Sequence, residues 1–250
     1  MIPASEFGRF KSKPMVVATA YDFPFARILE TAGVDVILVG DSLANVVLGL
    51  DSTREVGMDV MSVFVAAAVR GAKATHVMAD MPYGSDLDPA KAVSNGKRFL
   101  SLGAASVKLE GAKLESIRAL VSEGVPVVGH LGLLPQTAKS FKQVGRDPEE
   151  RDDILKSADA LAEAGAIGMV LEHIPSALAA EVTRRVPVPT IGIGAGPGTD
   201  GQVLVLHDFL GMHAGPFPPF AKAFADLHGA ALAGAAAYCQ AVRDRRFPEK

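Results

Sequence analysis

Three carboxylates stand just behind short apolar runs in this chain. Asp41 follows Val36–Val39, Asp80 follows Val77-Met78, and Glu110 closes Val107-Lys108-Leu109. Oxygen donors of this kind suit a hard cation, magnesium or manganese, rather than a metal that seeks thiolate. Lys108 precedes Glu110 by two residues, so on a strand both side chains point the same way. A buried ammonium group needs an anion. A substrate carboxylate is one, and Glu110 itself is another. His130 follows Val127-Val128, and Glu172 follows Met169–Leu171. Glu172 is flanked by Val170, Leu171 and Ile174. Burial in such company raises a carboxyl pKa toward neutrality, where the group serves as a general base.

Each residue alone has a plainer reading. A strand-end aspartate often caps the next helix, a lone histidine is often a hydrogen-bonded core residue, and Lys108–Glu110 could be a buried structural pair. Six such residues at successive strand ends call for a joint explanation, because interior charges are costly.

The elements that must position them follow one repeated punctuation. A helical stretch ends in glycine, a short apolar strand follows, and a polar residue ends the strand. Gly33, Gly71, Gly103, Gly124 and Gly165 each open such a unit. Glycine just past a helix supplies the left-handed cap, and short aliphatic runs are the mark of buried parallel strands. Strands also fit Met15–Ala18, Thr190–Ile193 and Val203–Leu206, which brings the count to eight. Helix starts are signalled by Asp88-Pro89 and by Asp147-Pro148-Glu149-Glu150, the second with a glutamate placed for a capping box. Val60, Phe64, Ala67 and Ala68 form one apolar stripe at helical spacing. Ile154, Leu155, Ala158, Leu161 and Ala162 form another.

Strands alternating with helices predict an α/β fold, a single-domain (βα)8 TIM barrel over residues 1–250. An open doubly wound sheet is the main competitor. In a barrel the strand ends converge on one mouth: Tyr21-Asp22, Asp41-Ser42, Asp80, Lys108 with Glu110, His130, Glu172, Gly192–Gly196 and His207-Asp208. Gly192–Gly196 either cradles a phosphate or permits a close backbone bend. The flexible ends are expected near 1–13 and 244–250, and a long helix from Phe220 to Val242. Cys239 is expected to pack on that helix. His76, His173, His213 and His228 have no metal spacing.

Composition narrows the function. Of 250 residues 49% are hydrophobic, enough for a large core, and the net charge is only −3 without a basic run. Nucleic-acid and membrane-surface binding therefore lack an electrostatic footprint. The single cysteine cannot form an internal disulfide, which fits a reducing cytoplasm. The first residues lack the apolar core of a signal peptide, and no apolar run is long enough for a membrane helix.

The strand-end segments resemble the ketopantoate hydroxymethyltransferase (3-methyl-2-oxobutanoate hydroxymethyltransferase) family. The matching stretches are TAYD at 19–22, AGVDVILVGDSLANVVLG at 32–49, DST at 51–53, ADMP at 79–82, VKLEG at 107–111 and PVVGHLGLLPQ at 126–136. They continue with MVLEHIP at 169–175, PTIGIGAGPGTDGQVLVLHDFLG at 189–211 and FAKAFADL at 220–227. The resemblance implies a one-carbon transferase. It would move a hydroxymethyl group from 5,10-methylenetetrahydrofolate to 3-methyl-2-oxobutanoate, forming ketopantoate for pantothenate and coenzyme A synthesis. It also implies a (βα)8 barrel in a homodecamer. On matching positions, Asp41 and Asp80 would hold magnesium, with Glu110 completing its shell through water. Ser42 and Lys108 would hold the substrate carboxylate, His130 would contact the substrate, and Glu172 would be the acid–base residue.

The residue types agree with that chemistry. A 2-oxo acid can chelate a divalent cation, which stabilises the enolate formed when C3 loses its proton. The enolate carbon then attacks an electrophilic one-carbon unit, and no cysteine or serine nucleophile is required. The sequence departs from the family pattern in four places. Thr137–Arg146 is short and lacks a Gly-Gly-aromatic element, and Leu134 replaces threonine. Arg54–Gly57 replaces a Leu-Pro-Val-Thr run, and Tyr83–Asp86 is atypical. All are expected in mouth loops, where specificity resides. The alternatives are a paralogue that uses another 2-oxo acid or formaldehyde, and a phosphoenolpyruvate mutase or isocitrate-lyase-type lyase. Lyases of that type carry a Lys-Lys-Cys-Gly-His loop that this sequence lacks. A binding protein without turnover would have lost metal or base residues, and none is lost.

Overall fold

A computed structural model describes residues 2–213 and 218–249. Met1 and Lys250, part of the ends expected to be flexible, lie outside those residues. The chain divides into two compact units, Met1–Val203 and Leu204–Lys250.

Eight parallel strands close into a barrel in chain order. They are β1 Met15–Thr19, β2 Val36–Val39, β3 His76–Asp80, β4 Ser106–Lys108, β5 Val127–Gly132, β6 Gly168–Glu172, β7 Thr190–Ile193 and β8 Gly201–Leu204. The closed barrel sets aside the open-sheet alternative. Register runs through Val17↔Val36, Val36↔His76, Met78↔Ser106 and Val128↔Gly168. β8 begins two residues before its expected start. Its expected end fails because Leu206 already belongs to a short helix, with Val205 extended as its cap.

The helices of the first unit are α1 Phe23–Ala32, α2 Leu43–Val46, α3 Met58–Gly71, α4 Pro89–Ser101, α5 Leu114–Ser122, α6 Pro148–Glu163 and α7 Ser176–Arg185. Asp88 caps α4 by accepting from the Lys91 N–H at 2.8 Å. Asp147 caps α6 through the Glu150 N–H at 2.9 Å, but the reciprocal half of the expected box is absent. The Glu150 carboxylate instead accepts from the Gly145 N–H at 2.7 Å, in the turn before the helix. Ile154, Leu155, Ala158 and Leu161 are the buried face of α6. The buried face of α3 is Met61, Ser62, Val65, Ala68 and Gly71, so the stripe is rotated from the expected one and Val60 is exposed. Apolar residues surround much of this helix, which leaves the pattern without a unique phase.

The barrel interior is apolar at its base. Met15, Val17, Val36, Leu38, Met78, Val128, Val170, Ile191 and Val203 form one cluster with Phe7 and Phe10. Those two phenylalanines come from a 3-10 turn over Ala4–Phe10. A segment expected as part of a flexible end thus carries a fully buried Phe7. It stands at the N-terminal ends of the strands, beside His76 at the start of β3.

In the second unit, α8 spans Leu206–Phe209 and α9 spans Leu227–Arg243. The long helix starts seven residues later than Phe220, where the Asp226 carboxylate accepts from the Gly229 N–H at 2.8 Å. The preceding segment is held by main-chain bonds instead, such as Phe224 N–H to Phe209 O at 2.7 Å. No residue of α9 is buried, and Cys239 is exposed rather than packed. Among the described residues, no helix is long and apolar enough to cross a membrane.

Candidate active site

The strand ends gather six buried ionisable side chains. Asp41 follows β2 by two residues, Asp80 ends β3, Lys108 ends β4, His130 lies in β5 and Glu172 ends β6. Glu110 lies two residues beyond β4, not within it. The chain there still follows β5, since Leu109 N–H donates to Val128 O at 3.1 Å and Gly111 N–H to His130 O at 2.9 Å. Close approach of β5 and β6 depends on Gly132, at φ 96°, where a Cβ would stand 2.2 Å from the Glu172 carbonyl oxygen.

Lys108 meets an anion that the sequence did not single out for it. Its Nζ is 2.7 Å from Asp80 Oδ1. The register explains this, because Asp80 and Lys108 are directly opposed across β3 and β4. The same Nζ is 3.5 Å from His130 Nδ1. His130 in turn places Nδ1 3.8 Å from Glu110 Oε1 and Nε2 3.2 Å from Glu172 Oε2. The Asp41 N–H donates to Asp80 Oδ2 at 3.1 Å. Ser42 begins α2 but makes no capping bond; its Oγ is 2.9 Å from the Tyr21 hydroxyl.

Electrostatics set this cluster apart from an ordinary core. Burial raises Asp41 to about 7, with the Asp80 charge adding to the effect. Burial likewise raises Glu110 and Glu172 to about 7, against the pull of nearby positive charge. Burial lowers His130 to about 4, and Lys108 adds to the shift, so the imidazole is neutral at pH 7. Burial disfavours the Lys108 charge, but Asp80, Glu110 and Asp41 together hold its pKa above the ordinary lysine value. Asp41, Asp80, Glu110 and Glu172 are thus four buried carboxylates around one lysine. The donors are all oxygen and buried carboxyl groups outnumber the one buried lysine four to one, a donor set that fits a hard divalent cation. Among the described residues, however, no group of three or more His, Cys, Asp or Glu side chains is gathered so as to hold a metal ion. Protein donors occupy the carboxylates instead: Lys108 on Asp80, and the Gln136 amide on Asp41 at 2.8 Å.

Gln136 is the member that sequence reasoning passed over. It was visible only as the last letter of GHLGLLPQ, and its type carries no titratable signal. Other strand-end residues have structural tasks. Asp22 caps α1 through the Phe25 N–H at 2.8 Å. His207 and Asp208 lie in α8 of the second unit, where Asp208 pairs with His213 at 3.0 Å. Gly192–Gly196 makes a close backbone approach: a Cβ on Gly196, at φ 75°, would stand 2.2 Å from Ser176 Oγ. His173 follows Glu172 at φ 47° and stacks on the exposed Phe141 at 5.0 Å. The atypical Tyr83–Asp86 loop is pinned by Lys113, whose Nζ donates to both Asp86 oxygens at 2.7 Å. A surface cavity of about 750 Å³ lies elsewhere, between Ser12–Val16 and Gly196–Gln202. Its one carboxylate, Asp200, is taken up by Lys11 and by the N–H groups of Ser12 and Thr190.

Known proteins resemble this chain in sequence and in fold. The profile of ketopantoate hydroxymethyltransferase matches residues 4–250. A 3-methyl-2-oxobutanoate hydroxymethyltransferase of Thermus thermophilus is 48% identical over 249 residues, covering 97% of this chain and 95% of its own. One of Carboxydothermus hydrogenoformans is 46% identical over 243 residues, covering 94% and 88%. Among solved structures, a 2,3-dimethylmalate lyase of the PEP mutase/isocitrate lyase superfamily superposes with a TM-score of 0.64. It is 19% identical and covers 100% of this chain and 91% of its own. At that identity the likeness is one of fold alone.

Proposed function

The chain belongs to the ketopantoate hydroxymethyltransferase family, and from that premise we propose that it moves a hydroxymethyl group from 5,10-methylenetetrahydrofolate to the enolate of 3-methyl-2-oxobutanoate. Ketopantoate, for pantothenate and coenzyme A biosynthesis, is the product. The observation that carries the mechanism is the excess of buried carboxylate over buried cation at the barrel mouth.

Asp41 and Asp80 would hold magnesium, or manganese, with Glu110 completing the shell through water. When bound, the ion would supply Lewis acidity that favours negative charge on the substrate carbonyl oxygen. Lys108, kept charged by its carboxylate neighbours, receives the substrate carboxylate together with the Ser42 hydroxyl. His130, neutral at pH 7, meets the substrate as a hydrogen-bonding group rather than as a cation. Glu172 takes the proton from C3. With its pKa raised by burial to about 7, it is substantially ionised at neutral pH and is a stronger base than an exposed glutamate. Water adds to the folate methylene, so that tetrahydrofolate departs and leaves the one-carbon unit at the oxidation level of formaldehyde; the carbanionic C3 then bonds to its carbon, and the proton held by Glu172 goes to the new hydroxyl oxygen. The enzyme is placed in the cytoplasm as a homo-oligomer, a decamer by family resemblance. A monodisperse monomer in light scattering would overturn that assembly.

Enolisation does not need the folate. The protein with magnesium, in heavy water and without folate, is therefore expected to exchange the C3 proton of 3-methyl-2-oxobutanoate, followed by nuclear magnetic resonance. Activity that survives thorough chelation would remove the metal from the mechanism. Exchange with a different 2-oxo acid only would keep the mechanism and replace the substrate.

A further inference from the structure

We propose that Gln136 is a positioning residue that orients Asp41 and Glu110 toward the divalent cation, and that Arg54 braces it from the solvent side. This rests on the metal reading above.

Gln136 is buried, and both ends of the residue are engaged. Its side-chain Nε2 donates to Asp41 Oδ2 at 2.8 Å and to the Met81 carbonyl at 3.0 Å. Its main-chain N–H donates to Glu110 Oε2 at 3.0 Å. A single residue, four beyond the end of β5, thereby holds one oxygen of a carboxylate behind β2 and one of a carboxylate behind β4, and ties both to the turn after Asp80. Gln136 thus engages one oxygen of each carboxylate, and the second, Oδ1 of Asp41 and Oε1 of Glu110 (the latter 3.8 Å from His130 Nδ1), is the one that would turn toward a cation. Hydrogen bonds that fix ligand orientation in this way are worth roughly 10- to 100-fold in metal affinity. A neutral amide suits the position. It satisfies carboxylate oxygens without discharging the site, whereas an ammonium group would compete with the cation.

The main-chain carbonyl of Gln136 accepts from Arg54 Nε. Arg54 also lies over the Tyr83 ring, 5.0 Å from its centroid. Its own loop is held by a reciprocal cap, with Arg54 N–H to Ser52 Oγ at 3.2 Å and Ser52 N–H to Glu55 Oε1 at 3.0 Å. The loops after β2, β3 and β5 therefore meet at Gln136. Arg54 and Tyr83 both lie in the segments noted in the sequence as departures from the family resemblance.

The test is a titration of the purified protein with Mn²⁺, followed by electron paramagnetic resonance, beside thermal melting. Gln136→Met keeps the size and removes the donor. It is expected to weaken Mn²⁺ binding about 10- to 100-fold in protein that melts cooperatively, and Arg54→Ala to weaken it by about twofold to fivefold. Should Gln136→Met not fold, Gln136→Asn serves: it keeps the amide but is one methylene short of Asp41, and the same weakening is expected. A folded Gln136 variant that melts earlier yet binds Mn²⁺ as tightly as wild type would overturn the proposal and leave the metal reading standing. A wild-type protein that binds no Mn²⁺ would overturn the metal reading and this inference with it.

Discussion

Two histidines divide the barrel into its working end and its supporting end. His76 at the base and His130 at the mouth are both buried, and burial lowers both to about 4. Their surroundings differ. His76 has partners for both ring nitrogens, the Ile2 carbonyl at 3.1 Å and Ser106 Oγ at 2.8 Å. Its ring packs against Phe7 at 5.1 Å. His130 has Lys108 on one side, and its Nε2 faces Glu172 at 3.2 Å without a well-directed hydrogen bond. Burial and pKa shift alone would class the two together. Completeness of hydrogen bonding separates them: both ring nitrogens of His76 are satisfied within the protein, whereas His130 Nε2 is not, as the proposed role of His130 in meeting a substrate would require.

The largest effect should come from the mouth and leave stability alone. Glu172→Gln keeps the shape and removes the base. Loss of C3 exchange by about 10²- to 10⁴-fold is expected, the range of a positioned general base. The melting temperature should stay or rise, because a buried carboxylate has been neutralised. Exchange as fast as wild type would show that the base lies elsewhere and that the mouth differs from the base in charge only.

The reverse separation is expected at the base. Phe7 is fully buried and packs edge-on to Phe10, with ring centroids 5.9 Å apart. Phe7→Ala should cost about 3–5 kcal/mol of stability, read by denaturant unfolding, with turnover per folded molecule unchanged. A loss of turnover greater than the loss of folded protein would mean that the base is coupled to the chemistry.

Most of this division could be read from the residues. Apolar runs closed by Asp41, Asp80, Glu110 and Glu172 expose both the strand and its functional end, since buried parallel strands and ionisable tips are each visible as residue types. What escaped depends on three-dimensional pairing. Phe7 lies in a polar-looking N-terminal stretch without periodicity, and only the barrel base reveals what it fills. Lys108 pairs with Asp80 through strand register, which one strand alone does not specify. Gln136 acts through hydrogen bonds made 26 and 95 residues away. The phase of α3 and the start of α9 were misplaced because alanine-rich and uniformly apolar stretches carry little phase or boundary information.

A smaller effect tests the base by pH. His76 has a folded pKa near 4 against about 6.5 unfolded. The native state therefore binds fewer protons than the unfolded chain below about pH 6.5. The contribution is fully present above that pH and is lost as the pH falls toward 4, on the order of 3 kcal/mol in all. Denaturant midpoints at pH 7 and pH 4.5 should fall further apart in wild type than in His76→Gln. Equal differences would assign the acid sensitivity to the mouth, where His130 shifts in the same direction.

The smallest expected effect probes a mouth group that is already satisfied. Ser42 stands at the start of α2, where a serine ordinarily caps, yet it makes no capping bond and its Oγ meets the Tyr21 hydroxyl at 2.9 Å. If Ser42 receives the substrate carboxylate, the Tyr21 hydroxyl orients it. Tyr21→Phe removes one hydrogen bond of about 1 kcal/mol, so KM for 3-methyl-2-oxobutanoate should rise by roughly threefold to tenfold with kcat little changed. Tyr21 is itself buried, so a purely structural role would show as a lower melting temperature with KM unmoved. That outcome would assign the Tyr21–Ser42 pair to the framework and confine the working end to the ionisable groups. A raised KM at constant melting temperature would show that a satisfied hydrogen bond at the mouth also serves binding, and that unsatisfied polarity marks the site without bounding it.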